Sequence, residues 1–396
     1  MSKAKILHII TRLANGGADE NTLYTINCLG NKKYDIDLMI GKENNSGMME
    51  NLNLREGIRL YKIDSLVRDI SPLNEIKAVW QMYKIIKKNK YDIVHTHIAK
   101  AGVLGRIAAK MAGVPIIIHG IHGITFPDTI HPLKKFLFKN IERFCAIFTD
   151  HFITVGEDMK KKYLEAGIGE EDRYTTVYSG MELSRFLNVS EYTLERLKQI
   201  KEELGIDSDD FIIGNVSKIQ KRKGYIYYLN VARNILSKYD KIKFLIVGSG
   251  PYEEEIKKQV SDMGLSKNVI FTGYRTDVEN MFAIMDIKVL TSLWEGLPRV
   301  LVQAAATGKP IVSFDVDGAW EIVEEGKNGF IVPLKDTDAM IEKIIGLIND
   351  NKLREKMGSY SRTKVNNKWT VENMVKEIDM IYAGLLKDKG FKFLDG

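Results

Sequence analysis

The sequence predicts an α/β protein of two doubly wound domains in tandem, its ligand held at the carboxyl ends of parallel strands. Three observations predict it. Short apolar runs of strand length alternate with helical patterns from residue 6 to residue 332, an order that produces parallel sheets. A chain of 396 residues, 44% hydrophobic, has the length and apolar content for two ordinary domains with a core each. Glycines and basic residues gather just after the strands, on the edge where such sheets bind ligands.

In the first half, residues 6–10, 36–40, 60–63, 92–95, 116–119, 153–155 and 175–178 read as strands. Helices are expected between them, near 20–29, 76–88 and 102–111. In the second, Ile76, Val79, Trp80, Tyr83 and Ile86 share one face. A less regular segment, 184–206, marks the junction. Strands at 211–216, 244–247, 269–271, 287–290, 311–314 and 330–332 then form the second series, and a helix is expected over 370–386. The domains are therefore expected at 1–190 and 191–368, with 369–396 as a helical segment crossing back to the first.

The excess of 58 Lys+Arg over 52 Asp+Glu is unevenly shared. Residues 1–190 hold 27 basic and 21 acidic side chains, the remainder 31 of each. An anionic partner is expected for the first half, and no nucleic acid. Cys28 and Cys145 have neither pairing nor metal spacing and read as buried thiols of a reducing compartment. Neither a signal peptide nor a spanning run of about 18 apolar residues is seen, so a cytoplasmic location is expected, with peripheral binding to the cytosolic face of a membrane.

The stretch TSLWEGLPRVLVQAAATGKPIV, 291–312, organises the second half. A strand ends in a turn carrying Glu295 and Gly296, Pro298 sits where a first helical residue belongs, and a helix runs on to Gly308. The mouth of such a helix has unpaired N–H groups and a positive dipole end, which suit a phosphate. Glu295 lies outside it and Gln303 inside, a side-chain acceptor on either side. That arrangement fits a phosphorylated sugar as well as a plain crossover.

This stretch resembles the E-x7-E signature of the retaining nucleotide-sugar glycosyltransferases of family 4, enzymes of the GT-B fold with two Rossmann-like domains facing a central cleft. The resemblance implies that Glu295 contacts the transferred sugar. Gly296, Leu297, Arg299 and Val300 would hold the distal phosphate. The second acid, which binds the ribose, is here Gln303, which keeps an acceptor oxygen but not the charge.

Other segments extend the likeness. Gly16 and Gly17, after the first strand, stand where the family has a glycine loop facing the donor diphosphate. The segment 214–224 ends in Lys223-Gly224 and resembles the family's G-x-[RK]…KG element. By that match Lys218 and Lys223 neutralise the leaving diphosphate, Lys218 standing where Arg is commoner and acting as a point charge. Gly248 lies in a glycine turn near the nucleotide, and Tyr274 and Arg275 in the segment lining a uracil-like base. His122, of the pair His122-Gly123, matches the cleft histidine that touches the sugar, while His119 lies nearer the strand interior.

His95, His97 and Lys100 read as a polar rim, with His97 and Lys100 on the acceptor side as in polysaccharide-assembling members. Two histidines at alternating positions without a carboxylate make a poor metal site. The strings Asp35-Ile-Asp37 and Asp315-Val-Asp317 lack the context of a metal motif. No cofactor or essential metal is expected; the nucleotide sugar is a co-substrate.

Together these imply a metal-independent, retaining glycosyltransferase using a nucleotide sugar, UDP-linked, to extend a lipid-linked or polysaccharide glycan. A nucleotide-sugar epimerase or phosphorylase of the same fold, and a catalytically silent partner subunit suggested by Gln303, are the alternatives. A last expectation concerns residues 132–148. Leu133, Leu137, Ile141, Phe144 and Phe148 recur at helical spacing with Phe136 and Ile147, among Lys134, Lys135, Lys139 and Arg143. This pattern suits either packing on the sheet or docking on an anionic membrane.

Overall fold

The computed structural model describes residues 3–391 apart from 15, 45, 51, 128, 129 and 366, and apart from the side chain of 48. The chain divides into two compact units. Unit 1 comprises Met1–Met181 and Lys368–Gly396, and unit 2 comprises Glu182–Asn367. The division falls ahead of the expected 190/191, because the irregular segment after Met181 packs with unit 2.

Unit 1 is a seven-stranded parallel sheet: β1 (Ala4–Ile10), β2 (Tyr34–Gly41), β3 (Arg59–Ile63), β4 (Ile93–His97), β5 (Ile116–Ile121), β6 (His151–Thr154) and β7 (Tyr174–Thr176). Its order is β3-β2-β1-β4-β5-β6-β7. The central strands are apolar on both faces because helices cover both. Ile6, Ile10, Leu38, Ile40, Ile93 and Ile118 point to one layer, Leu7, Ile9, Met39, Val94 and Ile117 to the other. The helices Pro72–Asn89 and Ala99–Ala112 cover the second layer.

The helix Gly17–Cys28 covers the first layer, joined by the last helix, Val371–Asp388. That helix presents Met374, Ile378, Tyr382 and Leu386, four residues apart, to the sheet. Each such buried side chain contributes roughly 1.5–3 kcal/mol by area. Asp379 fixes its azimuth by accepting from Tyr34 Oη at 2.6 Å and Lys33 Nζ at 2.8 Å. Of the two cysteines, Cys145 is buried but Cys28 is exposed, since it ends its helix on the solvent side.

The helix Pro132–Ala146 turns most of its stripe outward. Its buried residues are Glu142, Cys145 and Ala146; of the stripe, Ile141 is half-buried and Phe148, just past the helix, packs on the second core layer. Glu142 Oε2 lies 2.6 Å from Arg106 Nη2, both groups buried. Leu133, Phe136, Leu137, Phe144 and Ile147 are exposed, Leu133 to 69%. The stripe faces outward because the buried Arg106–Glu142 pair fixes the opposite face inward.

Unit 2 is a six-stranded parallel sheet: β8 (Phe211–Val216), β9 (Ile242–Val247), β10 (Val269–Gly273), β11 (Ile287–Leu290), β12 (Ile311–Phe314) and β13 (Gly329–Val332), ordered β10-β9-β8-β11-β12-β13. In both units the strand order reverses once, between β1 and β4 and between β8 and β11. Doubly wound sheets bind ligands outside the carboxyl ends of the strands at such a reversal.

Candidate active site

In unit 2 the reversal brings the loop after β8 against the loop after β11. Gly224 makes this contact possible. Its φ is +62°, and a Cβ there would lie 2.1 Å from the carbonyl oxygen of Thr291. Thr291 Oγ1 donates to Lys223 O at 3.1 Å, and Leu293 N donates to Arg222 O at 2.8 Å. The basic run is thereby laid directly over Glu295.

Glu295 is 8% exposed and bound from two sides. Lys223 Nζ donates to Oε1 at 2.5 Å, and Arg222 Nη1 donates to Oε2 at 3.2 Å. Burial by itself would raise this carboxyl, but the Lys223 and Arg222 charges outweigh it and hold Glu295 below the usual carboxylate range. Beneath the pair lies Lys288, fully buried on β11, whose ammonium donates to Asn215 Oδ1 at 3.2 Å and Val289 O at 2.7 Å. Burial, then repulsion by Lys223, lowers it well below the ordinary lysine value. Asn215 Nδ2 passes the network on to Thr291 Oγ1 at 3.4 Å.

The helix opened by this loop runs Arg299–Ala306, with Pro298 as the residue before it rather than its first. Gly296 and buried Leu297 form the approach, and Arg299, Val300 and Gln303 are half-buried on its first turns. The turn after β12 supports the approach, since a Cβ on Gly318 would lie 2.8 Å from Gly296 O. Lys218 stands exposed on the same strand edge. Gly248 joins it there: Ser217 N donates to Val247 O at 3.0 Å, and Gly248 N to Gly273 O at 2.9 Å. Tyr274 follows, 70% exposed.

Several expected residues are engaged differently. Arg275 gives its fork to Asp277, with Nε 2.7 Å from Oδ1 and Nη2 2.5 Å from Oδ2, so its guanidinium is bound within its own turn. Gly16 N donates to Asp19 Oδ2 at 2.9 Å and Ala14 N to the same oxygen at 2.7 Å. A carboxylate thus takes donors that the glycine loop was expected to offer a phosphate, and Gly17 begins the helix. Lys100 pairs with Glu75 at 2.9 Å, tied to the neighbouring helix rather than presented at a rim. Asp37 is buried against Arg59 and Tyr91, and Asp315 accepts from Trp320 Nε1 at 2.8 Å.

In unit 1 the reversal between β1 and β4 carries histidines. His8 pairs with His95 in register, and His97 follows on the same face two residues later. None forms a rim: His8, His95 and His97 are buried, and a strand ending two residues later than expected carries His97 inside. His8 Nδ1 lies 3.0 Å from His97 Nε2, and His97 Nδ1 lies 3.0 Å from His122 Nε2. His95 Nδ1 lies 2.6 Å from Tyr382 Oη, which lies 3.3 Å from His8 Nε2. His119 is buried on the opposite face against Thr96 at 3.0 Å.

Burial, followed by the neighbouring histidines, lowers His95 and His97 well below the usual imidazole value, and burial takes His8 to about 3. One nitrogen from each of these three lies within 4.8 Å of the others, the grouping among the described residues with metal-ligand character. Just after His97, Ile98 has φ 57° and ψ 169°, a conformation natural to glycine, and such strain costs about 1–3 kcal/mol. Arg222, Lys288, Asn215, Asp19, His8 and Tyr382 were not expected from sequence. A histidine at the interior phase of an apolar strand is the one local signal among them.

The comparisons agree with this geometry. Residues 197–364 match the family model for glycosyl transferases group 1, and residues 16–155 match that for glycosyl transferase 4-like domains. The chain is 31% identical over 98% of its length, and 99% of the relative's, to the Escherichia coli UDP-Gal:alpha-D-GlcNAc-diphosphoundecaprenol alpha-1,3-galactosyltransferase. It is 29% identical to the Staphylococcus aureus capsular polysaccharide biosynthesis glycosyltransferase CapM, covering 81% of this chain and 84% of the other. Among solved structures, Anabaena HepE in complex with UDP-glucose superposes with a TM-score of 0.80 at 20% identity, over 96% of this chain and 99% of that one. Sucrose-phosphate synthase of Thermosynechococcus elongatus gives 0.81 at 17%, over 98% and 100%. With two parallel Rossmann-like sheets, a basic loop laid on the first acid of the signature, and a full-length relative, this chain belongs to the family 4 nucleotide-sugar glycosyltransferases of the GT-B fold.

Proposed function

We propose that this glycosyltransferase moves a sugar from a UDP-sugar to a glycan carried on a lipid diphosphate, with retention of anomeric configuration and without a metal. The observation that carries this is Glu295 clamped between Lys223 and Arg222 at the mouth of the Arg299–Ala306 helix. Two cations hold one carboxylate, and with exposed Lys218 at the same strand edge they leave positive charge for a diphosphate. The relative's name supplies donor and acceptor class, and an α product formed from a UDP-α-sugar requires retention.

In this reading the diphosphate binds Lys218 and Lys223 with the helix N–H groups, and Glu295 accepts from hydroxyls of the transferred sugar. The bond from the anomeric carbon to the phosphate oxygen breaks, and one to the acceptor oxygen forms on the same face. The acceptor proton passes to the departing phosphate. Fixed cations aimed at charge that grows in the transition state stabilise it more than the ground state. Gln303 holds the ribose.

The acceptor class suits the outer surface of unit 1. Exposed Leu133, Phe136, Leu137 and Phe144 lie on one helix with Lys134, and exposed Leu73, Ile76 and Trp80 lie on another with Lys84 and Lys87. No described helix is long and apolar enough to cross a membrane. We therefore place this face on an anionic bilayer, peripherally. Incubating the protein with UDP-sugars and a synthetic lipid-diphosphate N-acetylglucosamine tests the reading. UDP release dependent on the acceptor, with an α-linked product by NMR and activity persisting in EDTA, is expected. A β product, or turnover without acceptor, overturns it.

A further inference from the structure

The ladder between β8 and β11 ends early. Its last pair is Gly214 with Lys288, although β8 runs on to Val216 and β11 to Leu290. The two strands part there, at the order reversal where a ligand crevice opens. The nitrogen of Lys288 bridges the split. It donates to Asn215 Oδ1 on one strand at 3.2 Å and to Val289 O on the other at 2.7 Å. From Asn215 the bonds lead through Thr291 Oγ1 to the backbone carbonyl of Lys223. A fully buried nitrogen thus closes the floor of the crevice, within reach of the Lys223 and Glu295 charges.

Its partners set its proton count. A neutral amine has two N–H donors and an ammonium three. Among the described residues two acceptors receive bonds from Lys288, so the third N–H of an ammonium would be buried without a partner. The charged groups that face it are Lys223, from the loop after β8, and Glu295, from the loop after β11. On the other side of β11, β12 pairs through Ile311, Val312 and Ser313, none of them charged. Burial and Lys223 oppose a proton on Lys288, and Glu295 favours one. The free site already sets two cations, Lys223 and Arg222, on that one carboxylate.

A bound diphosphate reverses this balance. In the functional reading, on which the inference rests, Lys223 turns its charge to the diphosphate while Glu295 accepts from the sugar. The cation that opposes the proton is then neutralised, and the carboxylate that favours it has lost its closest partner. We propose that Lys288 takes up one proton from solvent as a UDP-sugar binds, so that a further cation stands beneath the leaving diphosphate. Only an N–H bond forms, and the proton returns to solvent when the nucleotide leaves. Charge already in place when the sugar–phosphate bond breaks stabilises the phosphate that departs. Because this cation arrives with the substrate, the empty protein does not hold it buried and unpaired.

Titration calorimetry counts the protons. The full-length protein is titrated with UDP-galactose, UDP-glucose and UDP-N-acetylglucosamine at pH 7.5, in two buffers of different ionisation enthalpy. Both phosphates of a UDP-sugar are diesters, so the ligand itself does not titrate there. Uptake of roughly 0.5–1 proton per donor is expected, with affinity falling by up to about tenfold per unit as pH rises from 7 to 8.5. Lys288→Met keeps the stem without the amine. It should still bind donor, with the uptake lost and the affinity flat across that range, and its transfer kcat should fall roughly tenfold. If Lys288→Met does not fold, Lys288→Gln, which keeps a donor for Asn215 and takes no proton, replaces it. Uptake that survives in the variant overturns the proposal. Wild-type binding without uptake overturns the coupling alone, whereas no binding of any of the three donors overturns the donor site and the coupling with it.

Discussion

Lys223 and Glu295 stand 72 positions apart in the chain and meet at 2.5 Å inside unit 2. Neither is accessible enough for water to replace the other, so each is the other's main solvation. The pair joins the two loops that flank the strand reversal, which makes it a brace.

Glu295→Ala is expected to lower kcat by at least 100-fold, the scale seen when one group aimed at a transition state is lost. The fold should persist at lowered stability, because Arg222 is part-exposed but Lys223 is left buried without its partner. Steady-state kinetics with circular dichroism checks this. Transfer near the wild-type rate in a folded variant removes Glu295 from the site.

Gln303→Glu restores the family's acid. A hydrogen bond to a charged acceptor exceeds a neutral one by about 1 kcal/mol, roughly fivefold in affinity. Calorimetric titration with UDP-sugar should show that tightening with activity retained. Unchanged affinity means the ribose is held elsewhere.

Unit 1 is expected to be the acid-sensitive half. His8, His95, His97 and His119 are lowered chiefly by burial, so the unfolded chain takes up protons that the folded one refuses. The sign follows from that. Their contribution is fully present above about pH 6.5 and is lost as pH falls below it, at about 1.4 kcal/mol per pH unit for each ring. All seven histidines lie in unit 1. Hydrogen exchange in a urea series at pH 7.5 and 5.5 should show unit 1 peptides, with four such rings, losing more protection than unit 2 peptides, where buried Lys288 acts in the same direction. Equal shifts in both contradict the burial argument.

The Pro132–Ala146 helix is expected to carry membrane binding. Each basic residue near an anionic leaflet adds about 1 kcal/mol, screened by salt. Sedimentation with phosphatidylglycerol vesicles should fall at high salt and fall further in a Leu133→Ser/Phe136→Ser double variant. Equal recovery with neutral vesicles, or indifference to salt, would sink the docking.

Much of the architecture is legible in the chain itself. The thirteen strands among the described residues fall where short apolar runs alternate with helical patterns, and the central ones are continuous in Ile and Val because both their faces are buried. Glu295 and Lys223 are legible because each follows a strand and stands next to a glycine, Gly296 and Gly224, and Lys218 and Gln303 are legible from their places in the same two segments. These are local facts, each written in the few residues around its own strand end.

What the tertiary structure decided depends on pairings between distant segments. The register of β1 on β4 sets His8 beside His95, and the packing of the last helix adds Tyr382, 287 positions from His95. Lys288 looked like one polar residue in a strand until the fold placed it beneath Glu295. Lys100 and Arg275 kept the right neighbourhood but found carboxylates in Glu75 and Asp277. The outward turn of Leu133 and Phe136 came from a buried pair, Arg106 and Glu142, on the opposite side of their helix. Periodicity states that a face is apolar, whereas which way it points is a competition among all the contacts the folded chain can make.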